Sequence, residues 1–506
     1  MRRSAVWVVI GLLLLKLVLV LGANTFTPYG FHRDEMLYLA MGRHLDLWRM
    51  DFPPGIALAA EASRAAFGDW LPGIRFIPAV LGALLVALAA VMARELGGGP
   101  FAQGTAALCV VANPLFLRSS VLFQPVVLDQ TAWALGTYAL LLLGKREQPR
   151  YWLLLGFSLG IGLLSKFSIG VLAAGAAVAV LLTPLRRWLL TPWPWLAAAI
   201  ALLIGSPSIA GQFRLGWPLL DQMNDLRQEQ LFRVTPLDFA TSQLLLGPTT
   251  LVAMIGLIAL LASRLLEPFR VVGWTALMCW LLLVGLHGKA YYFGGMYPVL
   301  YAAGALVLGR VGARVPGTLA RVGAVVAMVV WGALVLPLGL PILPPEQMQT
   351  YIRRVGLTRA LRTNTGEYER LPQDYADMLG WEDQVRTIAR VYDSLPPGER
   401  SQAVLLAGNY GEAGAIDLYG PHYGLPGAVS PVGTYWFFGP GSQRGDVVVT
   451  IGIPADSLAR LYEDVTQVAV AGHPFAVAEE RNVPVLVAKR PRRTLQEVWP
   501  ELSGRH

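Results

Sequence analysis

Apolar runs long enough to cross a membrane recur from the N-terminus to about residue 341, and they limit this chain's fold more than any other feature. A helical span takes about 20 predominantly apolar residues. The pattern predicts spans near 5–23, 75–96, 101–117, 121–143, 151–165, 168–185, 193–210, 246–263, 271–287, 292–309 and 320–341. About eleven spans define a polytopic α-helical membrane protein. Composition agrees: 55% of residues are hydrophobic and only 15% charged, where soluble domains carry about 25% charged residues. Met-Arg-Arg and the apolar stretch behind it read as a first span, because that stretch is long enough to cross and shows no clear cleavage site.

Basic residues set the sidedness. If the spans alternate, Arg2 with Arg3, Arg94, Lys145 with Arg146 and Arg150, Arg186 with Arg187, Arg264 with Arg270, and the stretch from Arg310 to Arg321 all fall on one face. The positive-inside rule makes that face cytoplasmic, together with the N-terminus. The net charge of +8 is spread over these short loops and forms no groove for a nucleic acid. Cys109 and Cys279 lie within apolar runs, so no disulfide framework is readable.

The extracytoplasmic face receives a first loop at 24–74, a second at 211–245, and everything after 343. In that last part "AVLLAGN", "DVVVTIGI" and "VPVLVAKR" read as buried strands, with helical periodicity at 373–394, 455–464 and 494–502. The organisation expected is a membrane domain over 1–343 and a small extracytoplasmic α/β domain over 344–506.

Residues able to do chemistry collect on the outer side. The first loop opens with "TPYGFHRDEMLYLAMGRHLD", carrying His32, Arg33, Asp34, Glu35 and Tyr38. Neighbours on a helix point about 100° apart, so Asp34 and Glu35 cannot share a face. One can meet a cavity while the other binds a partner. Helix capping explains the pair equally well, and Arg33 also suits a membrane-border anchor. Asp51 precedes Pro53 and Pro54 in "DLWRMDFPPGIAL", which fixes its direction. Gln124 and Asp129 fall in an outer span end, where a carboxylate is costly; pairing with Arg118 or Arg75 is the alternative to a functional role. Lysine is rare, at 16, 145, 166, 289 and 489. Lys166 and Lys289 lie at outer borders, suited to a phosphate headgroup or to snorkelling. His287, beside Tyr291 and Tyr292, offers a metal ligand if Asp51 or Glu35 joins it; the tyrosines also fit an interfacial belt. Carboxylates and lysines on one side suit glycosyl transfer from a lipid phosphate, in which a base removes the acceptor proton and cations stabilise the departing phosphate.

These motifs, "FHRDEMLYLAMGRHLD", "MDFPPGIAL", "FQPVVLDQ", "LLSKFS", "KAYYFGGMYP" and "NYGEAGAIDLYGP", resemble in order those of bacterial glycosyltransferase family 39. That family belongs to the C-type membrane transferases, with the protein O-mannosyltransferases and the lipid A aminoarabinose transferase in the same branch. The resemblance implies the C-type glycosyltransferase fold in a bacterial inner membrane. It also implies a polyprenyl-phosphate sugar as donor and inversion at the anomeric carbon. On this basis Asp34 and Glu35 are the expected catalytic pair, and Lys289, Lys166 and Arg33 hold the donor phosphate. Asp51, Tyr38, Gln124, Asp129 and Tyr292 line the donor and acceptor sites, and Asp51 with His287 is a divalent-metal option. Phe52 stands where relatives often carry His, whose role would then move to His32 or His287. The competing reading is a transporter or flippase of a lipid-linked sugar, against which the one-sided charges and lack of an internal repeat weigh. The sugar and the nature of the acceptor (glycan, lipid or protein) stay open.

Overall fold

In the computed structural model, residues 3–311 and 315–502 are described; Arg2 and Arg314, counted among the basic clusters, lie outside them, as does the side chain of Arg3. Among the described residues, seven helices are long and apolar enough to cross a membrane, and up to ten when three bent pairs each count as one. The predicted segment 151–165 forms an apolar helix, Arg150–Ser165, of only 16 residues, short of the length a straight span takes.

The bent pairs have a common cause. Pro114, Pro184 and Pro248 each open the second helix of a pair, and the bends are 61°, 101° and 112°. A proline has no N–H to continue a helix, and it pushes the residue before it out of the α region. Side chains reach the backbone around the first break. Lys16 Nζ donates to the carbonyl of Phe116 at 2.7 Å, and Asn113 Oδ1 accepts from Leu115 N at 2.8 Å.

The basic loops do meet at one end of the bundle. Glu95 accepts from Lys145 at 3.0 Å and Arg146 at 2.9 Å, and Glu147 pairs with Arg187. At the other end stand two helices of the first loop, Arg33–Arg43 and Gly55–Phe67, and a helix of the second loop, Pro218–Glu229.

Above them lies a mixed five-stranded sheet of β1 (Val404–Ala407), β2 (Ala428–Val429), β3 (Val447–Ile451), β4 (Tyr462–Ala471) and β5 (Val483–Pro491), in the order β2-β1-β3-β5-β4. Strand β1 pairs in parallel with β2 and β3, while β5 runs antiparallel to β3 and β4. This sheet does not keep a core to itself. Met36, Leu37, Ile56 and Ala57 of the first loop pack in one buried cluster with Leu405, Ile416 and Val449. Helix Tyr410–Tyr419 lies directly on helix Arg33–Arg43: a Cβ added to Gly414 would sit 2.8 Å from Met36 Cβ. Only a glycine lets these two backbones approach so closely.

Candidate active site

The opening of helix Arg33–Arg43 sorts its charges by direction. His32 is the N-cap: its Nδ1 accepts from Asp34 N at 3.1 Å, and Glu35 Oε2 accepts from His32 N at 2.7 Å. Glu35 turns inward and is fully buried. Its two oxygens also accept from Arg75, Nε at 2.8 Å and Nη2 at 2.7 Å, and Oε1 takes Phe123 N at 2.6 Å. Burial opposes its ionisation, but the Arg75 guanidinium and the backbone donors outweigh that and hold it below the ordinary glutamate value. Glu35 lines neither of the cavities at Asp34; it is corrected from a catalytic residue to the anchor that fixes the helix.

Asp34, one residue earlier, points the other way. Tyr410 Oη donates to its Oδ1 at 3.0 Å and Gln124 Nε2 to its Oδ2 at 3.2 Å, leaving the side chain 30% exposed. Burial raises its pKa above the usual aspartate value, while Arg33 and the Tyr410 hydroxyl pull it back. Asp51 is oriented by Thr434, whose hydroxyl donates to Oδ2 at 2.7 Å; burial lifts its pKa to about 6.

Two cavities of about 460 Å³ each meet at Asp34, Tyr38, Asp51 and Phe52. One is polar and includes Lys289, Tyr410 and Thr434. The other is walled by Val171, Met223, Leu283 and Leu286, with Lys166 and Gln124 at its polar end. Helix Pro218–Glu229 stands between them, giving Asp221, Asp225 and Glu229 to the polar side and Leu219 and Met223 to the apolar side. The four-residue spacing of the acids keeps them on one face. Tyr291 and Tyr292 line both cavities and cradle Lys166, whose Nζ lies 4.9 and 4.4 Å from their ring centroids. Lys289 Nζ donates to Gln230 Oε1 at 2.6 Å, and burial lowers its pKa to about 8.

Of the residues singled out in the sequence, Asp34, Tyr38, Asp51, Gln124, Lys166, Lys289 and Tyr292 all line these two cavities. Four candidates fall elsewhere. Arg33 is occupied by Glu479 at 2.7 Å, Asp377 at 3.6 Å and Glu480 at 3.8 Å, with its guanidinium over the Tyr410 ring, so it braces the upper region instead of facing a phosphate. Asp129 accepts from Ser168 at 2.9 Å and lines neither cavity; Arg118 and Arg75, its expected partners, bind Asp374 and Glu35. His287 Nδ1 lies 2.8 Å from the carbonyl of Val234 and is absent from every cavity Asp51 lines. Among the described residues no group of three or more His, Cys, Asp or Glu is arranged to hold a metal ion, and Asp51 and His287 are not brought together. Phe52 lines both cavities, whereas His32, whose Nδ1 caps the helix, and His287 line neither.

Two site residues carried no signal of their own in the sequence, Tyr410 and Thr434. Both come from the part after 343 and reach Asp34 and Asp51 across 376 and 383 residues of chain. The stretch "NYGEAGAIDLYGP" is one of the motifs that carry the resemblance, but nothing local ties its first tyrosine to Asp34.

The fold and this site define a polytopic membrane protein of the C-type glycosyltransferase fold. Across 96% of the chain it superposes on ArnT from Cupriavidus metallidurans in the apo state, covering 98% of that protein with a TM-score of 0.61 at 15% identity. The same protein bound to undecaprenyl phosphate gives a TM-score of 0.59 at 14% identity, with the same coverage. Residues 51–210 match the dolichyl-phosphate-mannose-protein mannosyltransferase family model. The lipid A galacturonosyltransferase RgtD of Rhizobium johnstonii is 27% identical over 210 residues, which are 41% of this chain and 43% of that protein. The match thus spans less than half the length of this curated relative. The sequence match to the family model covers residues 51–210, and the likeness of fold covers nearly all of the chain.

Proposed function

We propose that the protein is an inverting glycosyltransferase, moving a sugar from a polyprenyl-phosphate donor to an acceptor on the extracytoplasmic face of a bacterial inner membrane. The observation that carries this reading is the position of Asp34, at the junction of an apolar cavity ending in Lys166 and a polar cavity holding Lys289. A lipid-linked sugar phosphate needs such a site: an oily channel for the chain, a cation at its phosphate and a carboxylate at the anomeric carbon. The solved relative bound to undecaprenyl phosphate supports a lipid of that class. With the basic loops facing the cytoplasm, both cavities open outward.

In the reaction, the acceptor O–H gives its proton to Asp34 as its oxygen bonds to the anomeric carbon. The bond from that carbon to the phosphate oxygen breaks, and its electron pair leaves with the polyprenyl phosphate. Lys166 and Lys289 stabilise the charge that develops there. A carboxylate whose pKa is raised by its surroundings is a better base near neutral pH than an ordinary one. Gln124 and Tyr410 hold both its oxygens in place, and Asp51 is positioned to orient the acceptor.

The test is transfer by the purified protein from a panel of polyprenyl-phosphate sugars, with products identified by mass spectrometry. Asp34→Asn should lose roughly 10²–10⁴-fold of the rate, as expected for removal of a general base. Undiminished turnover by that variant would remove Asp34 from the mechanism.

A further inference from the structure

The stretch "NYGEAGAIDLYGP" gives the site Tyr410 and leaves a second polar side chain, Glu412, buried two positions further on. Glu412 lies in the first turn of helix Tyr410–Tyr419 and closes a capping box with Asn409. Its Oε2 accepts from Gly408 N at 2.8 Å and Asn409 N at 3.1 Å. Asn409 Oδ1 accepts in turn from Gly411 N at 2.8 Å and Glu412 N at 3.0 Å, and its Nδ2 donates to Glu480 Oε1 at 2.9 Å. Asn409 is thus held through its backbone and both ends of its amide, and it sets where the next residue, Tyr410, enters the helix.

A capping glutamate at the surface is ionised, because a helix N-terminus favours negative charge. The surroundings of Glu412 are different. Glu412 is 2% exposed and Glu480 0%, so two carboxyl groups flank one asparagine out of contact with water. Glu480 is the better supplied: Gln384 Nε2 reaches its Oε2 at 2.8 Å and Arg33 Nη2 lies 3.8 Å from its Oε1. That guanidinium also answers Glu479 at 2.7 Å and Asp377 at 3.6 Å, while Glu412 forms no ion pair among the described residues. One cation therefore stands against four carboxyl groups, and Glu412 is the one left without it. Burial and the neighbouring Glu480 both push its pKa up, and two close carboxyls in a buried setting do not both ionise. Of the other titratable groups around this helix, Asp34 meets Tyr410, whereas Asp417 pairs with Tyr435 and Tyr423 with Glu382 towards its far end. A protonated carboxyl keeps its carbonyl oxygen as an acceptor, so Oε2 holds both backbone donors while Oε1 carries the proton.

We propose that Glu412 is a positioning residue, protonated at neutral pH, which acts through Asn409 to hold the Tyr410 hydroxyl on Asp34. The protonation stands on the buried cluster alone; the effect on turnover rests on the transferase reading.

Infrared difference spectra of the full chain in neutral detergent test the first part. At neutral pH, Glu412→Gln should remove a carbonyl band belonging to a protonated carboxyl group. Glu479→Gln, at the exposed end of the same cluster, should leave that band in place. A band that survives in E412Q would overturn the neutral glutamate. Kinetics with a polyprenyl-phosphate sugar tests the second part. E412A removes the acceptor that holds Asn409, and it should shift the acidic limb of kcat/KM upward, as loss of the Tyr410 hydroxyl should, because ionised Asp34 loses a donor. E412Q keeps an uncharged acceptor of the same shape and should return the limb to the parent's position. In Y410F/E412A the limb should stand where Y410F alone puts it, since both changes remove one and the same contact. A further shift in the double variant, or a limb that E412Q fails to restore, would overturn the positioning role. Uniform loss at every pH in E412A would overturn it too, since that is the mark of a merely structural cap. If the parent transfers no sugar, the transferase reading fails, and the infrared result still decides whether Glu412 is neutral.

Discussion

Tyr410→Phe removes a single oxygen from the site and should move the pH dependence of the reaction. The Tyr410 hydroxyl donates to Asp34 Oδ1 at 3.0 Å, while Gln124 keeps Oδ2 at 3.2 Å, so the variant loses one of two side-chain donors and keeps the carboxylate's position. A hydrogen bond to a charged group contributes about 1.5–3 kcal/mol. It stabilises only the ionised form, and one pKa unit corresponds to about 1.36 kcal/mol. Its loss should therefore raise the Asp34 pKa by about 1–2 units. The sign follows from the role: a base must be unprotonated, so activity is present above its pKa and lost as pH falls through it. Burial already holds that value above the ordinary aspartate range, and the variant lifts it further. The acidic limb of kcat/KM, measured with a polyprenyl-phosphate sugar, should shift upward by those 1–2 units, with about tenfold loss per unit on the acid side. Activity well above the new limb should nearly recover. A limb that stays in place would refute either the hydrogen bond or the assignment of Asp34 as base; a uniform loss at every pH would point to a disturbed fold.

Lys166→Met should raise the KM for the lipid donor about 10–100-fold, the equivalent of one charge-assisted contact, with kcat for a saturating donor falling as well if the lysine also meets the leaving group. Asp51→Asn should stabilise the protein while harming turnover. Burial lifts this carboxyl from 3.8 to about 6 in the folded chain, so folding takes up a proton between those values and stability falls as pH rises through them. Melting of the variant and the parent should coincide near pH 4 and diverge by at most about 3 kcal/mol above pH 6. Glu35→Ala leaves the buried Arg75 guanidinium without its counterion and should cost about 3–5 kcal/mol, read as a lower melting temperature in detergent; a neutral outcome would show that water reaches Arg75.

What the sequence made legible follows the length scale of each interaction. The apolar runs are local signals, and most of them form apolar helices of the bundle; of the basic clusters, Lys145 and Arg146 gather with Glu95 at one end. The divergence of Asp34 and Glu35 was also legible, because a helix turns neighbours apart whatever surrounds it. Which of them faces the cavities was not, since Arg75, 40 residues away, makes that choice. The bends follow visible prolines, yet their angles depend on what packs against each break. Asp129 and His287 misled for one reason: a polar side chain at a membrane border advertises a need for a partner, and the partner can be as plain as Ser168 or the carbonyl of Val234. Arg33 misled in the same way, because its three carboxylates come from the far end of the chain.

Those distant partners change what the region after 343 does. A detachable acceptor-recognition module would keep its own core and touch the membrane domain through a thin polar surface. Here it shares a buried cluster with both helices of the first loop, grips Arg33 with Asp377, Glu479 and Glu480, and binds Arg118 through Asp374. It also supplies a donor to each of the two carboxylates at the cavity junction. The roof of the site and its base are thus one packed unit, and the close contact at Gly414 is the point where they are pressed together. In the proposed reaction, acceptor selection and base positioning would then be coupled. Any movement of the roof that admits an acceptor also changes the Tyr410 and Thr434 contacts, and with them the proton affinity of Asp34 and Asp51. In the proposed reaction the seating of the roof therefore helps to set the proton affinity of Asp34, because the Tyr410 donor favours its ionised form.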